Sequence, residues 1–169
     1  MNNLIQSLLN LFRGIWKAPF GKEITVFILS LFPIIELRGG LIAAALLKIE
    51  PLPSYLICIL GNIVPIPFIL FLIQGILNAM RKTKLFHKIV LWLDHKVEQK
   101  KGQIERYGFW GLVLFVGIPL PGTGAWTGGL IAAVLNMDKK KAFLALTLGV
   151  ILAGILMMIF SYGFLSNFL

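Results

Sequence analysis

The chain has 169 residues, 58% of them hydrophobic and 14% charged, with a formal net charge of +9. Apolar stretches of more than twenty residues without a charge exclude a soluble globular domain. The basic residues gather beside those stretches, which excludes a soluble nucleic-acid module and fits lipid headgroups and membrane topology instead. The fold class is therefore all-α integral membrane.

Residues 1–22 come first. Leu4, Ile5, Leu8, Leu9, Phe12, Ile15 and Trp16 recur at helical spacing, with Gln6, Asn10, Arg13 and Lys17 opposite. The pattern predicts a helix lying in the membrane interface, or else an ordinary first helix packed on the bundle. Asn2 and Asn3 at the start, and Arg13 and Lys17 within the apolar stretch, argue against a signal peptide.

The next apolar segment, 24–47, is interrupted by Glu-Leu-Arg-Gly-Gly at 36–40. Residues 55–80 then form an uninterrupted span, longer than the roughly 20 residues needed to cross the hydrocarbon. Pro65 and Pro67, with Gly61 and Asn62, read as a kink in it. Cys58 is the one cysteine, so no intrachain disulfide is possible, and it reads as a small packing residue.

Residues 81–106 carry eight lysines and arginines against three acids, with Leu85, Phe86, Ile89, Trp92, Leu93 and Val97 as a helical stripe. This predicts a basic amphipathic helix on the cytoplasmic surface. His87 and His95 lack further clustered ligands, so no metal or other cofactor is expected. Residues 109–137 form a second broken segment, interrupted by Pro-Leu-Pro-Gly-Thr-Gly at 119–124, and 142–168 form a second span.

Gly-Gly-Leu-Ile-Ala-Ala occurs at 39–44 and again at 128–133, an offset of 89. Both copies follow an apolar segment and precede a long span, so 23–80 and 107–169 read as a duplication. If the broken segments are re-entrant hairpins, the repeats are inverted; if all four segments span, they are parallel. Both arrangements place the same number of loop lysines and arginines inside, so charge does not separate them. The prolines and glycines at the breaks favour hairpins, because irregular backbone at membrane depth needs protein or a polar cavity around it.

Charges inside such segments cost roughly 2.5–3.5 kcal/mol each on insertion scales and are functional candidates by default. Glu36 is the candidate proton site. Arg38, with the backbone of Gly39 and Gly40 at the start of a half-helix, is the candidate anion contact. Gly122, Thr123, Gly124, Trp126 and Thr127 are its candidate counterpart, the two polar tips sharing a dry pocket. The structural alternatives are an ion pair holding a broken helix, glycines serving close helix packing, and Trp126 as an interfacial anchor. No nucleophile–base pair, phosphate-cradling loop or redox motif is present, so an enzyme is not expected.

The motifs Pro-Ile-Ile-Glu-Leu-Arg-Gly-Gly (33–40) and Gly-Ile-Pro-Leu-Pro-Gly-Thr-Gly-Ala-Trp-Thr-Gly-Gly (117–129), each followed by a span, resemble the small multidrug export protein family. That prokaryotic membrane family is similar to the wider DedA/VTT superfamily. The resemblance implies inverted re-entrant hairpins, an inner-membrane location, and proton-coupled movement of lipids such as polyprenyl phosphate. It implies that Glu36 is the hairpin acid and Arg38 the hairpin arginine. The second hairpin departs from the superfamily pattern, offering Thr123, Trp126 and Thr127 where an arginine is expected.

The expected function is thus a small transporter or flippase for an anionic, lipid-like amphiphile. Its partners are membrane lipids, protons and further copies of the chain. The alternatives are efflux of cationic amphiphiles, and a membrane scaffold binding lipid or protein through 81–106.

Overall fold

The computed structural model describes residues 19–82, 91, 95, 101–120 and 122–164, and these hold helices and no strand. Residues 1–18 of the expected interfacial helix, and most of the basic stretch, including His87 and Trp92, lie outside the described residues. The helices are α1 Gly21–Leu31, α2 Glu36–Leu46, α3 Pro51–Ile63, α4 Pro65–Lys82, α5 Lys101–Gly117, α6 Ala125–Val134 and α7 Lys139–Met158. A widened π turn, Ile159–Phe164, continues α7.

Two stretches are long and apolar enough to cross a membrane, Pro51–Ile73 and Lys139–Gly163. Both begin before the expected positions, 55 and 142, for local reasons. Pro51 stands in the first turn of α3, where its missing N–H costs nothing. Asp138 caps α7: its Oδ1 accepts the Lys141 amide at 3.0 Å and its carbonyl accepts the Ala142 amide at 2.8 Å. The first stretch is interrupted at Val64, just before Pro65.

Polarity along α3 is inside out. Leu52, Leu56, Leu60 and Val64 form an exposed row at every fourth position, while Ser54, Cys58, Gly61 and Asn62 are buried. A soluble helix shows the reverse, so the exposed row is a lipid-facing one.

The chain divides into two compact units, Met1–Val64 with Val150–Leu169, and Pro65–Gly149. In the first, α1 and α2 form an antiparallel hairpin. Lys22 Nζ, in the first turn of α1, donates to the Leu47 carbonyl just past α2 at 3.2 Å. Near the other end, a Cβ on Gly40 would land on Ser30 Oγ, and Cys58 Sγ lies 3.1 Å from that point. Each 11-residue arm is about 16 Å long, half of the roughly 30 Å hydrocarbon thickness.

Also within this unit, α3 runs antiparallel to the stretch 150–163. The Tyr162 hydroxyl lies 2.7 Å from Ser54 Oγ and 2.9 Å from the Ile49 carbonyl. Further along α3, Tyr55 donates to the Ile151 carbonyl at 3.3 Å, and Ile59 lies against Gly154.

The second unit holds another hairpin, α5 with α6. A Cβ on Gly128 would meet Val116 at 2.6 Å and Leu146 at 2.7 Å, and one on Gly149 would meet Val116 at 2.6 Å and the Val113 carbonyl at 3.0 Å. Gly129 faces Ile69 of α4 in the same way. Here α5 starts at Lys101, so 101–106, expected in the amphipathic linker, belongs to the hairpin arm. No proline between 101 and 117 stops the helix earlier.

The two units repeat one design in a register the letters misplace. Gly40 packs on Ser30 and Cys58 as Gly128 packs on Val116 and Leu146; Gly61 packs on the Phe27 carbonyl and Ser30 as Gly149 packs on the Val113 carbonyl and Val116. Gly40 to Gly128, Cys58 to Leu146 and Gly61 to Gly149 are each 88 residues apart, whereas Phe27 to Val113 and Ser30 to Val116, before the break, are 86 apart and the matching hexapeptides are offset by 89.

Both α2 and α6 also end in a Schellman motif in the 88 register. Lys48 and Ile49 amides bond to the Ala45 and Ala44 carbonyls, as Asn136 and Met137 amides bond to those of Ala133 and Ala132. Lys48 and Asn136 take the left-handed φ, 55° and 50°, that the motif requires.

Candidate functional site

The break in the first hairpin is a single helical turn. The Ile35 and Glu36 amides both reach the Phe32 carbonyl, at 3.2 and 2.9 Å, and the Gly39 amide bonds to the Ile35 carbonyl at 2.9 Å. Free amides at a half-helix start, expected at Gly39, are therefore not what this tip offers: preceding carbonyls take up the Glu36 and Gly39 N–H groups. Gly40 is closed off by Ser30 and Cys58. It serves close helix packing.

Glu36 has a φ of 50° and is only 7% exposed. A non-glycine residue in the left-handed region carries local strain, and such strain persists where the surroundings impose it. The strain at Lys48 and Asn136 closes a helix; at Glu36 it opens one. Arg38 is half-buried and electrostatically coupled to Glu36. On a regular helix residues two apart diverge by about 200°. The left-handed φ takes Glu36 out of that geometry, which lets its carboxylate act on Arg38.

The second break uses glycine where the first uses glutamate. The Thr123 amide bonds to the Leu120 carbonyl at 3.2 Å around Gly122, whose φ is 80°, the type II value for which Pro-Gly is the favoured pair. Gly124 has φ 155° and ψ −174°, a conformation essentially restricted to glycine.

The hydroxyls expected to meet a substrate are committed locally. Thr123 Oγ1 sits 3.0 Å from the Ile118 carbonyl and 2.9 Å from that of Leu120, and Thr127 Oγ1 donates to the Gly124 carbonyl at 3.3 Å. Both threonines thus hold the turn. Trp126 is half-buried. Glu36, Arg38, Gly39 and Gly40 fall in the first unit, and Gly122, Thr123, Gly124, Trp126 and Thr127 in the second.

A sequence model for the family described as "Putative small multi-drug export protein" matches residues 36–156, well over half of the chain. The chain belongs to the small multi-drug export protein family. The matched region begins at Glu36 and takes in both helices that follow a break, the first long apolar stretch and most of the second. The family's name is that of an export transporter, and the two long apolar helices agree with a membrane location. Searches of curated proteins and of solved structures give no match.

Within this family member, the 88-residue register provides an internal control. What the scaffold needs should appear in both repeats; what one repeat adds serves something else. Glu36 corresponds to Gly124, Arg38 to Trp126 and Asn62 to Val150. The first repeat therefore places a carboxylate, a guanidinium and an amide where the second has glycine, tryptophan and valine. Reading Asn62 as part of a kink passed over this contrast, which becomes visible only once the register is known.

Depth within the first unit groups two of these residues. Gly40 of α2 and Cys58 of α3 are in contact. Glu36 is four residues from Gly40 toward the tip, and Asn62 four residues from Cys58 in the same direction, about 6 Å in each case. Both are buried, Asn62 to 2% exposure.

Proposed function

We propose that this family member is a small secondary transporter whose substrate site is built on the tip of the first hairpin. Glu36 is the proton-binding group, and Arg38, the more accessible of the two charges, meets an anionic amphiphile of lipid-like shape, such as a polyprenyl phosphate. The observation that carries this reading is Glu36 itself: a carboxylate buried among apolar helices, on a backbone conformation suited to glycine, where the sister repeat has glycine. Each of these features has a cost in stability.

The charge arithmetic supports coupling. With Glu36 ionised, its field offsets that of Arg38; with Glu36 protonated, Arg38 stands as a net positive charge in an apolar setting and attracts an anion. Proton and anion then bind together.

The proposed topology is an inverted repeat. The prolines and glycines at both breaks support it, because irregular backbone at membrane depth needs protein around it and favours a segment that turns back. The 11-residue arms of the first hairpin, about 16 Å each, turn back before crossing the bilayer.

The test uses proteoliposomes with an imposed pH gradient, a fluorescent isoprenyl phosphate as the anionic probe and ethidium as the cationic one. The expected result is gradient-driven movement of the anionic probe, loss of its pH dependence in Glu36→Gln, and loss of the movement itself in Arg38→Gln. Ethidium movement that survives Arg38→Gln and fails in Glu36→Gln would instead establish the export of cations, with Glu36 as the counter-ion.

A further inference from the structure

The geometry points to a binding site for a small dehydrated monovalent cation, sodium in size, at Gly61 and Asn62, where Pro65 removes a donor from the first long apolar helix.

The first observation is an orphan. Asn62 is 2% exposed, and its Oδ1 has no hydrogen-bond partner. A buried acceptor left unmatched is costly and calls for an explanation in a native protein. The second is covalent chemistry. Pro65 has no N–H to return to the Gly61 carbonyl, its partner four residues upstream, and the helix is interrupted at Val64. Another acceptor is thereby released beside Asn62.

The neighbours on α1 add oxygen and no spare proton. The Phe27 carbonyl lies 2.7 Å from where a Gly61 Cβ would be, and Ser30, also against Gly61, gives its hydroxyl proton to the Val26 carbonyl at 2.9 Å. The result is a locality of amide and carbonyl oxygens, about level with residue Glu36 on α2. Neutral oxygens where a proline removes a donor from a membrane helix suit a hard cation of single charge. A divalent ion would need more carboxylates, and among the described residues no three His, Cys, Asp or Glu cluster together.

The sister repeat shows that packing does not demand this arrangement. The equivalent positions are Gly149 and Val150; the glycine is kept for its close approach to α5, the amide is replaced by a fully buried valine, and α7 continues unbroken to Met158.

The site deepens the transport reading by supplying a coupling ion, but its test needs no substrate. Purified protein in detergent is melted at constant ionic strength in sodium, potassium or N-methylglucamine chloride, with unfolding followed by maleimide labelling of the buried Cys58. The expected result is a saturable rise in melting temperature specific to sodium. Asn62→Val, which copies the sister repeat, should melt higher than wild type in N-methylglucamine and show no sodium increment. Pro65→Ala returns an N–H to the Gly61 carbonyl and should raise the half-saturating sodium concentration about tenfold. Should Asn62→Val fail to fold, Asn62→Asp keeps the oxygen, adds charge and should bind sodium more tightly. An equal effect of all three cations, an undiminished sodium increment in Asn62→Val, or an unchanged half-saturation in Asn62→Asp overturns the site. Failure of transport with the sodium increment intact would overturn the transport reading alone.

Discussion

Glu36 stands four residues before Gly40 as Gly124 stands four before Gly128, and both leave helical backbone, Glu36 at a left-handed φ of 50° and Gly124 at a near-extended φ of 155°. The backbone there suits glycine, and one repeat has kept a buried carboxylate in its place. That relationship separates conformational strain from the loss of the side chain. Glu36→Ala and Glu36→Gly both remove the carboxylate, but only glycine relieves the left-handed φ. We expect Glu36→Gly to be about 1 kcal/mol more stable than Glu36→Ala, read as melting temperature in detergent. Equal stability would mean that the backbone at 36 is not strained.

The paired glycines should behave alike. A Cβ at Gly61 would lie 2.7 Å from the Phe27 carbonyl, and one at Gly149 would lie 2.6 Å from Val116 Cβ and 3.0 Å from the Val113 carbonyl. These atoms belong to or sit directly on helix backbones and cannot rotate away. Gly61→Ala and Gly149→Ala should each destabilise by about 1–3 kcal/mol. Gly75→Ala, where nothing lies within 4 Å, should be neutral or slightly stabilising.

Tyr162 ties the end of the second long stretch to the start of the first, through the Ile49 carbonyl and Ser54, whose own hydroxyl donates to the Glu50 carbonyl at 2.8 Å. Tyr162→Phe keeps the ring and loses the hydroxyl. We expect a loss of about 1 kcal/mol, and little further loss when Ser54→Ala is added, because both act on one network. Additive losses in the double mutant would show that the two groups act separately.

Topology is open to labelling. In a Cys58→Ala background, Lys48→Cys and Lys140→Cys place single thiols on exposed residues, one after each hairpin. Inverted insertion predicts that a membrane-impermeant maleimide reaches the two from opposite sides of the membrane. Labelling of both from one side would restore the arrangement with four spanning helices.

The residue string by itself determined that this is a helical membrane protein with two broken and two long apolar segments, because hydrophobicity and segment length act locally. It also singled out Glu36 and Arg38, since a charge in an oily stretch is conspicuous without any fold. Tertiary structure alone decided the rest. The repeat register moved from 89 to 88 because packing at Gly40 and Gly128, and not a shared hexapeptide, aligns the halves. The Gly39 amide and the Thr123 and Thr127 hydroxyls, candidate ligand donors as letters, turned out to serve the breaks themselves. A polar atom's availability depends on which acceptor folds against it, and that partner lies outside any periodicity. Asn62 shows the converse: an ordinary residue in the string, it matters because the folded chain leaves its oxygen without a proton.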